Sequence, residues 1–221
     1  AYYVLDAYRR AAFDRLYDDF FYRRNNEFWK DKAMQKLPAL LDSTGMLACG
    51  EDLGMIPATV PQVMDDLRIL SLEIQRMPKS VEETFAHPAN YPYLSVCTTS
   101  THDMNPIRAW WEEDRQVTND FWQMILGNQG EAPYFCEPWI CRQILEQHVW
   151  SPAMLTILPL QDWLSMDAQL RREDPNAERI NVPANSRHYW RYRMHLTLEQ
   201  LAAADEFNQA LTDMIAASGR C

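Results

Sequence analysis

Glu51 and Asp52 stand side by side between Gly50 and Gly54, directly after the apolar run at 46–49. A polar turn at the end of a strand explains such a pair. So does a strand that ends in a catalytic pocket. Three more polar clusters sit after short apolar runs. Gln75-Arg76 follows 69–74, Thr98-Thr99-Ser100-Thr101-His102-Asp103 follows 94–97, and Gln161-Asp162 comes soon after 154–158. Four clusters in the same place relative to four runs favour a shared pocket over unrelated turns. Carboxylates on neighbouring strand ends suit acid–base chemistry on sugars, where an acid protonates the leaving oxygen and negative charge faces an oxocarbenium-like centre. Trp110-Trp111, Trp163 and Tyr189-Trp190 are candidates for stacking on sugar faces, with core packing the competing reading for each. His102 and Asp103, together with Glu51 and Asp52, also offer oxygen and nitrogen ligands for a divalent cation. The HxH and HExxH spacings that make a metal assignment specific are absent.

The elements that must carry these groups are legible from rhythm. Phe13, Leu16, Tyr17, Phe20 and Phe21 recur at helical intervals in a segment with no glycine before Gly45, so residues up to 42 read as helix. Pro38 should bend or end the last of it, with a turn at 42–45. The four apolar runs are too short for helices and read as buried strands. Between and after them, helices are expected at 57–67, at 106–114 behind a proline, from a Thr118 cap to Gly127, and at 138–149. A last helix is expected from the Thr197-Leu198-Glu199-Gln200 capping box to about Ala217. The charged, proline-punctuated stretch 171–185 reads as loop. Short buried strands alternating with helices imply an α/β fold with a parallel sheet. In such folds the chemistry gathers at the carboxyl ends of the strands.

Composition narrows the class. A chain of 221 residues can bury a full core and needs only one domain. Net charge of −10 argues against a nucleic-acid partner, which rewards clustered Lys and Arg. No apolar run approaches the roughly 20 residues that span a bilayer, and the N-terminus does not read as a signal peptide. Five cysteines are too few and scattered for a disulfide framework. Cys49 and Cys97 lie in apolar runs where a thiol packs as a small hydrophobe, and Cys136 and Cys141 lack zinc-site spacing. A reducing cytoplasm is the expected setting.

The segments LACGEDLGMIP, LEIQRMP, YPYLSVC, STHD followed by RAWWEED, PLQDWL and HYWRYRMHLTLEQL resemble the 4-α-glucanotransferase family of amylomaltases and disproportionating enzymes. They are most similar to its maltose-using, cytosolic disproportionating type. The resemblance implies a (β/α)₈ barrel whose C-terminal half, about four parallel strands with additional helices, is this chain. Residues 1–221 would then form one part of the catalytic domain, with a helical lead-in at about 1–42, strand–helix units at about 46–170, and a closing loop and helix at about 171–221. By position, Glu51 matches the family's general acid/base and Asp103 its transition-state-stabilising carboxylate. His102 matches a hydroxyl-binding histidine, and Asp52, Gln75 and Asn181 match pocket-lining positions. The implied substrates are α-1,4-glucans, maltose or glucose, with no cofactor, no metal, no membrane and no nucleic acid.

The family's nucleophile, an aspartate in an Arg-x-Asp motif upstream of the Glu51 position, has no match. The only Arg-x-Asp is Arg172-Glu173-Asp174, in the charged loop. The expectation is a C-terminal piece of a longer enzyme, inactive alone, missing its N-terminal part and prone to self-association. Two departures from the family pattern bear on subsites: Met104-Asn105-Pro106 where an acidic residue is usual, and Asn181-Val182-Pro183-Ala184 in place of Asn-x-Pro-Gly. A non-catalytic structural or glucan-binding piece and a metal-dependent barrel hydrolase are the other readings.

Overall fold

A computed structural model describes residues 2–52 and 56–220; Leu53, Gly54 and Met55 of the Glu51 motif lie outside the described residues. The chain divides into two compact units, Ala1–Leu72 and Glu73–Cys221.

In the first unit, α1 (Ala7–Asp18) starts at Asp6, whose carboxylate accepts the Arg9 N–H. It continues through a π-helical turn (Asp19–Arg24) into α2 (Asn25–Asp42), as the periodicity up to residue 42 predicts. Pro38 does not end α2. A proline withholds one N–H, and the helix runs on to Ser43, whose N–H and hydroxyl both donate to Leu40 O at 3.2 and 2.6 Å. A short helix, α3 (Val60–Asp66), packs Val60 and Met64, with Ile69, against Trp29, Leu37 and Leu41 of α2.

The run at 46–49 departs from expectation. Met46 is 77% and Leu47 54% exposed, and Cys49 is exposed as well, so neither a buried strand nor a packed thiol forms there. One parallel bridge, Cys49 to Leu70, is all the pairing it makes among the described residues. Gly50 donates to Leu70 O at 2.8 Å, and a Cβ there would lie 2.9 Å from Met64 Cε, close enough that the end of the methionine side chain would have to move.

The sheet has the order β1-β2-β3, with β1 at Ser71–Ile74, β2 at Ser95–Thr98 and β3 at Leu155–Thr156. β2 and β3 are parallel, with Val96 opposite Leu155 and Cys97 opposite Thr156. Thus the α/β class holds and the strands expected at 69–74, 94–97 and 154–158 are found, the first and third trimmed and the second shifted by one residue. The described residues give three sheet strands and not four, because 46–49 contributes only its bridge.

The second unit's helices are α4 (Ile107–Trp111), α5 (Arg115–Met124), α6 (Pro138–Val149), α7 (Leu160–Leu164), α8 (Leu198–Ala202) and α9 (Asp205–Ala217). Asp114, not Thr118, caps α5: its carboxylate accepts the N–H groups of Gln116 and Val117. Thr118 lies one turn inside and donates its hydroxyl to Trp111 O. The capping box at Thr197 and Gln200 is present, but the helix it opens stops at Ala202, and α9 restarts at Asp205. One 3₁₀ turn, Pro175–Glu178, interrupts the predicted loop. The core gathers Trp111, Phe121, Ile140, Ile144, Leu145 and Met214, with Trp110 and Trp163 packed against it. Core packing therefore accounts for three of the candidate stacking aromatics.

Candidate active site

The segment after β2 is fixed by a buried carboxyl, Asp162, and a partly buried guanidinium, Arg76. Asp162, in the first turn of α7 and fully buried, accepts the hydroxyls of Thr99 (2.5 Å) and Ser100 (3.1 Å) and the N–H of Ile107 (2.8 Å). Burial pushes its carboxyl above the usual range, while these bonds and the Arg76 charge pull the other way. Arg76, just beyond β1, donates to Thr99 O at 2.7 Å and Asn105 O at 2.8 Å. Its guanidinium lies 4.9 Å from the centre of the Trp110 ring. Burial lowers its pKa to about 10, which leaves it charged at neutral pH. Residues 99–107 are thus held at their start, middle and end.

This held segment presents His102 and Asp103, whose side chains are 56% and 54% exposed. Asp103 Oδ1 accepts Asn181 Nδ2 at 2.6 Å, and Oδ2 lies 3.3 Å from His102 Nε2. The His102 ring is 5.1 Å from that of Trp190, tilted by 49°. Trp190 and Tyr189 are 61% and 76% exposed, in contrast to the tryptophans of the core. The structure therefore brings together three of the sequence-predicted residues, His102, Asp103 and Asn181, beside one exposed indole. A carboxylate engaged at both oxygens next to an aromatic face suits a hydroxyl-rich ring: it can accept hydroxyl hydrogen bonds and oppose developing positive charge while the ring stacks.

Gln75 does not join this group. It is 1% exposed and donates from Nε2 to Gln147 Oε1 at 2.8 Å. Glu51 and Asp52 belong to the first unit, and they differ. Glu51 is exposed. Asp52 is 4% exposed and accepts the Leu72 N–H at 2.9 Å, which ties the segment to the start of β1. Among the described residues no three His, Cys, Asp or Glu side chains converge as metal ligands. Sequence reasoning gave Arg76 no role, although it stood in one of the four clusters. The signal was an arginine directly after a buried strand, a place that demands partners for its charge.

Comparisons with known proteins agree in direction. Residues 1–198 match the sequence profile of the 4-alpha-glucanotransferase family of glycoside hydrolases. The chain is 40% identical over 216 residues to the 4-alpha-glucanotransferase DPE2 of Oryza sativa subsp. japonica, covering 98% of this chain and 23% of that protein. It is 30% identical over 215 residues to the 4-alpha-glucanotransferase of Chlamydia muridarum, covering 96% of this chain and 40% of that protein. In fold it is similar to an amylomaltase from Streptococcus agalactiae in complex with acarbose, with a TM-score of 0.60 and 18% identity over 82% of this chain and 34% of that one. The chain thus spans well under half the length of these relatives.

Proposed function

The chain belongs to the 4-alpha-glucanotransferase family, and on that premise we propose that it carries the acid/base half of a retaining glucan transfer within a longer enzyme. The attacking carboxylate comes from outside these 221 residues. It displaces the leaving sugar at the anomeric carbon while Glu51 protonates the departing oxygen. Glu51 then takes the proton of the acceptor hydroxyl as the second displacement releases the product. Asp103 opposes the positive charge of the flattened sugar, and His102 binds a hydroxyl. Asn181 holds Asp103, and Asp52 and Gln75 are assigned to the substrate pocket only by their positions in the family pattern. Maltose and α-1,4-glucans are the substrates. The chemistry needs no cofactor, the enzyme works in the cytoplasm, and the strands of this chain form part of a (β/α)₈ barrel.

The observation that carries this reading is Asp103, engaged by His102 and Asn181 beside the exposed Trp190. The test is a pair of variants in the longer enzyme, each assayed with maltose and with α-glucosyl fluoride. Glu51→Gln should lose most transfer from maltose yet still form the covalent intermediate from the fluoride, which needs little acid help. Asp103→Asn should slow both donors by about 10²–10³-fold, the usual cost of removing an electrostatic stabiliser. Near-normal maltose transfer by Glu51→Gln, or rescue of Asp103→Asn by the fluoride, would refute the assigned roles.

A further inference from the structure

A cavity of about 710 Å³ lies between the Pro175–Glu178 turn and the segment that follows it, and arginines dominate its wall. Arg172, Arg179, Arg187, Arg191 and Arg193 all line it, and no Asp or Glu does. These are five of only 21 Lys and Arg in a chain of net charge −10, so positive charge is concentrated here against the trend of the molecule. Among the described residues none of the five forms an ion pair with a carboxylate. Glu178, the buried carboxylate of the same region, is taken by Arg108 at 3.2 Å. Two of the guanidinium groups also carry unmet donors: Nε of Arg172 and Nε of Arg179 are buried with no hydrogen-bond partner. Arg172 is preset by its other contacts, donating from Nη2 to Arg193 O at 2.5 Å and lying 5.6 Å from the centre of the Tyr192 ring.

Like charges crowded around one space repel unless an anion lies among them. A multivalent oxyanion in the cavity offsets the repulsion between the guanidinium groups that face it. Guanidinium forks match the oxygens of a phosphate in parallel pairs, and a carboxylate, with two oxygens, would leave most of the forks unused. The volume falls in the usual range for small-molecule sites, roughly 300–1,000 Å³, and exceeds what a bare phosphate fills. Tyr189 and Tyr192 supply the aromatic wall that a sugar ring needs. The segment that builds the cavity also carries Asn181 and Trp190 to Asp103 and His102.

We infer that this cavity binds a phosphate ester of glucose, either as the free sugar phosphate or as a phosphorylated unit of a glucan chain. The phosphate half stands on the cavity alone; the glucose half rests on the glucanotransferase reading. Equilibrium calorimetry on the 221-residue chain at low salt tests it, with glucose 6-phosphate, phosphorylated maltodextrin, inorganic phosphate and glucose as probes. Glucose 6-phosphate should saturate one site at least 10-fold more tightly than inorganic phosphate, and glucose should not bind in that range. Tighter binding of phosphorylated maltodextrin than of glucose 6-phosphate would identify the glucan chain as the source, and weaker binding the free sugar. Arg187 and Arg191 are exposed, so replacing both by Gln should leave the circular dichroism unchanged and weaken binding by 10-fold or more. Lysines at the two positions should restore part of the loss. Absence of saturation by glucose 6-phosphate, or unchanged binding by the double Gln variant, would overturn the site. Equal affinity for inorganic phosphate would overturn the glucose half. The readout is binding, so failure here leaves the transfer roles of Glu51 and Asp103 standing, and failure of those roles leaves the phosphate site standing.

Discussion

At the residue scale, the amide of Asn181 and the imidazole of His102 engage both oxygens of Asp103 in a half-exposed place. Removing the amide should therefore loosen the carboxylate without unfolding anything. Asn181→Ala in the longer enzyme should lower kcat about 10-fold, the worth of one hydrogen bond to a charged group, with unchanged thermal stability; a purely structural role would instead lower Tm. A second residue-scale prediction concerns His148, fully buried on α6, where Nδ1 bonds Ile144 O at 2.8 Å. Burial lowers its pKa to about 4, against an ordinary 6.5. The unfolded chain takes up a proton below pH 6.5 that the folded one refuses, so His148 costs stability progressively as pH falls from 6.5 to 4. The loss approaches about 3 kcal/mol at the lower end. His148→Gln should flatten that part of the Tm–pH curve, and an unaltered slope would assign the acid lability elsewhere. His148 shares helical spacing with Ile140, Ile144 and Leu145, so its place on the apolar face of α6 follows from the sequence itself. The pairing of Asp103 with Asn181 was not legible there, because 78 residues separate them and only the family resemblance put both in one pocket.

At the element scale, helices with long periodic stretches were readable, and α6 has the bounds that its proline and spacing predict. Short-range chemistry was less secure. Asp114 and Thr118 are both competent caps, and the choice fell to Asp114 because Thr118 turns its hydroxyl back to Trp111. The exposure of 46–49 was invisible in the sequence, since an apolar run states a preference for burial and not what lies beside it. Equally hidden was the clamp on 99–107, although Gln161-Asp162 was picked out as polar. Three donors converge on the Asp162 carboxylate, so Asp162→Ala strands buried groups and should cost about 3 kcal/mol or more. Amide exchange at Ile107 should accelerate in the same variant while that of the α6 core stays slow. Retention of slow exchange at Ile107 would show that Arg76 alone suffices to hold the segment.

At the scale of the whole chain, the first unit leaves much apolar surface open. Tyr8 is 79%, Phe13 50%, Leu16 64% and Phe28 63% exposed along α1 and α2. Burying such surface gains roughly 25 cal/mol per Å², so the 221-residue chain by itself should self-associate. Light scattering over a dilution series should show mass rising with concentration, and Phe13→Lys with Leu16→Lys should shift the curve toward monomer. A strict monomer at all concentrations would mean that this face does not drive association. The orientation of that face hangs on the π-helical turn at Asp19–Arg24. Such a turn amounts to one extra residue in an α-helix, and each residue of an α-helix turns the chain by about 100°. Deleting a single residue there would restore an unbroken helix and swing the aromatic stripe of α1 about a quarter-turn around the axis of α2. The segment should accordingly tolerate changes of residue type far better than changes of length.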